Sequence, residues 1–395
     1  MRNKVSVKSL LSLIDPVVLE SIAIETNVNY KCKKLSGDII FKLILMSILD
    51  NTKISLRIME KTFSNPLFKI YSGAKKEETI KFNSISERLS VINSSYFEKI
   101  YEHVILVSKK YLSDNSDEYL IRPFDSTSLS ISSKLLKKGM VSGVKSKEDE
   151  HRKKQIKFTV GLLKDLPVVI DFYNEQAYLG EDLTLSQTIL KSNIGNNEIV
   201  VFDRGLKKRK IFKEFTDCNI FFVTRINPTK SIKVIKSNPL KENTTTQSLK
   251  LISDQEVNLY HEGKSLFKEP FRLIKSVSLK TNEEIFFLTN IKDLSTQEVT
   301  EIYKKRWQIE VFFKFIKQHL HFKHFLNYSE NGIKVMMYMT MIVAILILIY
   351  KKLNEIKNYK TAKYEFTEEL NMEIIKEIVV ICDGDPNKSP LFNTC

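Results

Sequence analysis

Apolar residues recur at spacings of three and four through residues 1–115, the period of an amphipathic helix. The run SGDIIFKLILMSILDNTKISLRIMEKTF, beginning after Ser36-Gly37-Asp38, predicts helix. So does SISERLSVINSSYFEKIYEHVILVSKKYL, where Ser84 and Glu87 have capping-box spacing. From residue 117 the period changes. EYLIRPFDSTSLSIS reads as a strand up to Asp125, and IKFTVGLL, PVVIDFY, EIVVFD and NIFFVTRI read as short β-rich runs. Turn or helical segments, including EDLTLSQTILKS and GLKKRKIFKEF, separate them. This order predicts an α/β fold that starts antiparallel and continues through crossovers. Between Arg225 and Asn290 the helical signal fades, and SLKLISDQEVNLYH, PFRLIKSVSLK and EIFFLTNI predict a mostly β insertion. Helix resumes at STQEVTEIYKKRW, with Ser295 as N-cap and Glu298 at its third position.

A second long apolar run needs a different reading. Val335–Tyr350 contains no charge and is flanked by Lys334 and Lys351. It is short of the roughly 20 apolar residues that span a bilayer, so a buried core helix is expected and no membrane attachment. The first residues, MRNKVSVKSLLSLIDP, break their apolar run with Ser and Asp and lack a signal-peptide core. Cys32, Cys218, Cys382 and Cys395 lie far apart without a CxxC pair, which argues against a zinc site or disulfide framework by spacing. A reduced, cytoplasmic protein is the expectation.

The 395 residues, 43% of them hydrophobic, suffice for two or three domains with real cores. Gly and Pro are scarce, at 11 and 9 residues, which excludes a low-complexity chain. The formal charge of +15 points to a polyanionic partner, nucleic acid or an anionic surface, or to a Lys-rich background.

The candidate chemistry lies at the ends of two strand-like runs and on one helix. LIRPFDST places Asp125, and VVFDRG places Asp203, where α/β sheets gather functional groups; each alone also reads as a turn residue. On a helix at about 100° per residue, Tyr303, Arg306, Glu310 and Lys317 fall within an arc of about 60°. The opposite side carries Ile309, Phe312, Phe315 and Ile316. Such a stripe reads as a solvated face or as a site. The site reading has a chemical reason: three carboxylates suit the hard oxygen coordination of Mg²⁺, and nearby cations hold phosphates without competing for metal. Trp307 lies on the stripe's edge, where it reads as a core residue or as a platform for a base. Arg204, directly after Asp203, reads as a phosphate contact or a salt-bridge partner. His319, His321 and His324 read as helix-face residues.

Tyr303, Arg306, Glu310 and Lys317 reproduce the Y-(2)-R-(3)-E-(6)-K spacing of IS4-type DDE transposases, and PFDST, VVFDRG and FFVTRI resemble that family's other motifs. The resemblance covers roughly residues 115–350. It implies an RNase H-like core at 116–224 and 291–355, interrupted by a β-rich insertion at 225–290. A helical N-terminal domain at 1–115 would bind DNA ends, and 356–395 would form a C-terminal segment. It implies a metal triad of Asp125, Asp203 and Glu310, using Mg²⁺ with Mn²⁺ as a substitute. Tyr303, Arg306 and Lys317, with Arg204 and Trp307, would contact DNA. The implied activity is hydrolysis at terminal inverted repeats followed by strand transfer into target DNA, by a homodimer. An RNase H-fold nuclease would use the same triad without strand transfer. A catalytically silent DNA-binding descendant would have no need of an intact one.

Overall fold

The computed structural model describes residues 5–49, 54–111, 119–132, 139–141, 153–227, 232–240, 245–261 and 265–388. The expected boundary at 115 and the end of the tail, 391–395, lie outside them. The chain forms two compact units, one helical and one built on a sheet.

The helical unit begins with α1 (Val7–Leu11), α2 (Pro16–Thr26), α3 (Gly37–Leu49), α4 (Leu56–Ser64), α5 (Pro66–Ser72), α6 (Phe82–Val91) and α7 (Ser95–Ser108). Side-chain caps start several of these. Asp15 accepts from the Val18 N–H, Ser55 from Ile58 and Asn65 from Leu67. Ser84 does not act as a cap. α6 starts two residues earlier, after Lys81, and places Ser84 inside its first turn.

The sheet unit starts with β1 (Leu120–Ser132), β2 (Met140–Val141), β3 (Lys153–Leu163) and β4 (Leu166–Tyr173), followed by α8 (Glu181–Lys191), β5 (Glu198–Phe202), α9 (Lys210–Asp217) and β6 (Phe221–Ile226). Next come β7 (Ile232–Asn238), β8 (Leu249–His261), β9 (Ser265–Leu266), β10 (Phe271–Ser278), β11 (Glu284–Thr289), α10 (Thr296–Lys304) and α11 (Trp307–His319), which continues into the helical unit. The main strand order is β2-β3-β1-β5-β6-β11-β10-β8-β7. β1 runs antiparallel to β3 and parallel to β5, and β5 is parallel to β6, so α8 and α9 act as crossovers. From β6 onward every pairing is antiparallel, and β11 joins β6 through Phe286↔Ile226 to Thr289↔Val223. The strands of 225–290 therefore extend the same sheet.

β5 is buried at all five positions, as expected of a parallel strand covered on both faces. Its alternation sorts two cores. Val200 and Phe202 pack with Leu185 and Ile189 of α8 and Phe212 and Phe215 of α9. Ile199 and Val201 pack with Val299 of α10. Gly161 on β3 opposes Phe124, and a Cβ there would meet that ring's edge within 3 Å. A bare backbone lets Phe124 lie across its neighbour and holds β1 firmly just before Asp125.

The helical unit closes with α12 (Glu330–Leu353) and α13 (Tyr359–Ile381). Every residue from Val335 to Tyr350 is buried. The ends of this stretch are tied by the Tyr338 hydroxyl to Glu98 and the Tyr350 hydroxyl to Glu369. The run is a core helix whose apolar surface is already covered by its own unit.

Candidate active site

β1 and β5 remain paired only as far as Pro123↔Val201. Pro lacks an N–H for the ladder, and beyond it the two strands part. Asp125 follows on β1 and Asp203 follows the last residue of β5. β1 does not end at Asp125, as the sequence pattern suggests, but runs on to Ser132 against β3. The opening comes from the divergence of β5, which no local pattern reports.

Asp125 Oδ1 accepts from the Ser126 N–H at 2.7 Å, and Asp203 Oδ1 from the Gly205 N–H at 2.8 Å. The turn after β5 is pinned by the Thr224 hydroxyl, which donates to the Phe202 and Asp203 carbonyls at 3.1 and 3.0 Å. Burial, chiefly, pushes the Asp125 carboxyl up to about 7. The Ser126 N–H works against this, the Asp203 and Glu181 carboxylates add to it, and Arg306 pulls back.

A pH dependence follows. Between the ordinary carboxylate value of 3.8 and about 7, the folded chain keeps a proton on Asp125 that the unfolded chain has released. Stability should therefore fall as pH rises through that window and be lowest above it. Asp125→Asn should stabilise the metal-free protein by about 1–2 kcal/mol near about pH 8 and flatten this slope. Thermal melts in chelator across the pH range check it; an unchanged slope would contradict the assignment.

Glu181, the first residue of α8, is the acid that the sequence did not single out. Burial first, then the neighbouring Asp203, raises its pKa, while Lys157 opposes. The only local signal is an acid opening the helix that follows a β-hairpin. Its approach to Asp203 depends on Asp182, whose Oδ1 accepts from the N–H groups of Lys207 and Lys208 and draws the turn after β5 to the first turn of α8.

Residues 302–320 do not form one continuous helix. α10 ends at Lys304 and α11 begins at Trp307; between them the N–H groups of Lys305, Arg306, Gln308 and Ile309 bond three residues back. This tight turn brings Tyr303 and Arg306 nearly into line. The Arg306 guanidinium lies 5.6 Å from the Tyr303 ring centre and donates to Glu310 Oε1 at 2.6 Å. Tyr303 is less solvated than its stripe position suggests. Its ring meets Phe287 edge-on at 5.2 Å, and burial raises its pKa. Trp307 is 62% exposed, which corrects the core reading for it. Arg204 is exposed and makes no ion pair among the described residues. Lys317 lies further along α11, half-buried, in the helical unit. His319 ends α11, and His321 follows with φ 57°.

The structure thus brings Asp203, Glu181 and Arg306 within electrostatic reach of Asp125, with Glu181 also beside Asp203 and Glu310 held by Arg306. Among the described residues, no three His, Cys, Asp or Glu side chains are arranged to hold a metal ion as they stand.

A family model described as the transposase DDE domain matches residues 117–346. A protein of Sinorhizobium fredii named as a transposase, y4zB, is 28% identical over 49% of this chain and 52% of its own length. The chain thus spans about half of that relative. A protein of Synechocystis named as the transposase of insertion sequence element IS4SA is 26% identical over 76% of this chain and 78% of its own. Among solved structures, a piggyBac transposase in a synaptic complex with hairpin DNA superposes with a TM-score of 0.50. That match covers 98% of this chain and 87% of the other at 9% identity, a likeness of fold.

Proposed function

This chain belongs to the transposase DDE-domain family, and from that premise we propose that it mobilises an insertion sequence by cutting the element's ends and joining them to target DNA. The observation that carries the reading is the gathering of Asp125 and Asp203 where β1 and β5 part, with Glu310 and Arg306 following α10. The sheet order, with three antiparallel strands leading into parallel β1-β5-β6, supports an RNase H-like core. Members of this family use divalent metal ions.

The donor set fits such an ion. All the acids offer hard oxygens, and the bare Gly205 lies against the Asp203 and Glu181 carboxylates with no side chain of its own between them. We take Asp125, Asp203 and Glu310 as the residues that would hold Mg²⁺, with Mn²⁺ able to replace it. When bound, a pair of such ions supplies an activated water and stabilises charge on the attacking and leaving oxygens.

The remaining work belongs to the chain itself. Arg306 is suited to clamp a phosphate through its planar fork. The ion pair with Glu310 gives this a consequence: a phosphate that captures the guanidinium releases the Glu310 carboxylate, so substrate binding and assembly of the acidic set are coupled. Tyr303, stacked beneath Arg306, orients it and can donate to a phosphate oxygen. Lys317 and Arg204 add point charges along the DNA backbone, and exposed Trp307 offers a stacking face for a displaced base. The N-terminal region 1–115, through helices α1–α7, and the insertion 225–290 would grip the terminal inverted repeats. A homodimer, each protomer cutting the end its partner holds, would work in the cytoplasm on the nucleoid.

The test supplies a pre-cleaved element end with a free 3′-hydroxyl, a supercoiled plasmid and Mg²⁺. Joined end–plasmid product is expected. End cleavage without any joined product would instead favour an RNase H-fold nuclease.

A further inference from the structure

We infer that Glu181 is a fourth carboxylate of the metal site, facing the bound cation beside Asp203; this rests on the site reading proposed above. Gly205 marks the place. Were it to carry a Cβ, the Glu181 carboxyl carbon would lie 2.7 Å from that atom and Asp203 Oδ1 2.8 Å from it. Two carboxylates from different elements therefore converge on one point of backbone, and a side chain there would push them from the places they hold.

Among the described residues the Glu181 carboxylate accepts no hydrogen bond and enters no salt bridge. Lys157, the cation that acts on it most, directs its ammonium to the Leu179 carbonyl at 2.8 Å. Asp203 and Asp125 each satisfy one oxygen with a local backbone N–H, and their second oxygens take no protein donor among the described residues. Glu310, by contrast, is paired with Arg306. Like charges drawn together in partial burial, with no cation bonded to Glu181 or Asp203 among the described residues, are costly. Two separate devices nevertheless hold Glu181 in position, the Asp182 bonds to the turn after β5 and the Lys157 prop under Leu179, while the bare Gly205 leaves its carboxylate space beside Asp203. A divalent cation, which prefers several oxygen ligands, is the partner whose charge and coordination such an arrangement suits. A purely structural acid opening α8 would need only the helix end, and would gain nothing from facing Asp203.

Mn²⁺ binding to the purified full chain, followed by electron paramagnetic resonance of the free ion, tests this without depending on turnover. Glu181→Gln is expected to weaken Mn²⁺ affinity by about tenfold or more, and Glu181→Asp, whose carboxylate is drawn back by one methylene, by less. Melting curves in chelator should show both variants folded. Glu181→Gln binding Mn²⁺ as tightly as the unaltered chain, while Asp203→Asn does not, would overturn the inference and leave the site reading standing. Undiminished binding by Asp203→Asn as well would overturn both. Should Glu181→Gln fail to fold, Glu181→Asp decides alone: several-fold weaker affinity supports the role, and unaltered affinity refutes it.

Discussion

Asp203→Asn or Glu310→Gln is expected to leave DNA-end binding nearly intact and to lower strand cleavage by at least roughly 10³-fold, about 4 kcal/mol of barrier. The two substitutions keep size and hydrogen-bonding ability and remove only the charge that a divalent cation requires. Asp203 sits on a turn held through backbone carbonyls by Thr224, so its amide should occupy the same place. Glu310 lies on a well-formed helix and donates nothing to the core. Arg306→Ala should behave differently. It releases Glu310 but removes the phosphate clamp proposed for it, so binding should weaken and its salt dependence should flatten by about one unit of slope. Gel-shift titrations over salt, beside cleavage of a labelled end, separate the two patterns. If Glu310→Gln lost binding and kept cleavage, its role as a metal ligand would be refuted.

The second large effect concerns stability. Asp254 on β8 is 3% exposed and lies against Arg272 of β10. It accepts from Arg272 Nε at 3.0 Å, from Asn238 at 3.1 Å and from the Thr296 hydroxyl at 2.8 Å. Arg272 also donates to the Leu294 carbonyl, just before α10. One buried network therefore ties β7, β8 and β10 to the start of the helix leading to Tyr303 and Arg306. Asp254→Ala should cost about 3–5 kcal/mol, because it strands a buried guanidinium, whereas exchanging both partners for apolar residues of like volume should restore much of that. Denaturant unfolding of the two variants measures it; a loss below about 1 kcal/mol would mean the pair is not a structural keystone. Burial alone would raise the Asp254 pKa, but its bonds from Arg272, Asn238 and Thr296 prevail and hold it below the usual carboxylate range. Its contribution is therefore present above the ordinary carboxylate pKa and disappears as acid titrates the folded carboxylate.

Several features were legible because their causes are local. Apolar, β-branched and aromatic runs marked β3 to β6, β8, β10 and β11, and the Ser295–Glu298 capping box forms in both directions. The long apolar run of α12 could only be buried. β7 escaped notice because it is an exposed edge strand whose lysines and valine show no buried face. The break between α10 and α11 escaped for another reason. No Gly or Pro marks it, and the helical wheel assumes a period that the i→i−3 bonds at Lys305 and Arg306 do not keep.

By itself, then, the sequence determined most of the strands and helices, the placing of Asp125 and Asp203 in and after apolar strands, and the Tyr303–Arg306–Glu310–Lys317 spacing, since each depends on period and on neighbours along the chain. The tertiary structure alone decided that β5 parts from β1 after Pro123, that Arg306 spends its charge on Glu310, and that Glu181 arrives beside Asp203 at Gly205. These are matters of register and of side chains meeting across elements distant in the chain, and the spacing of residues within one segment carries no information about either.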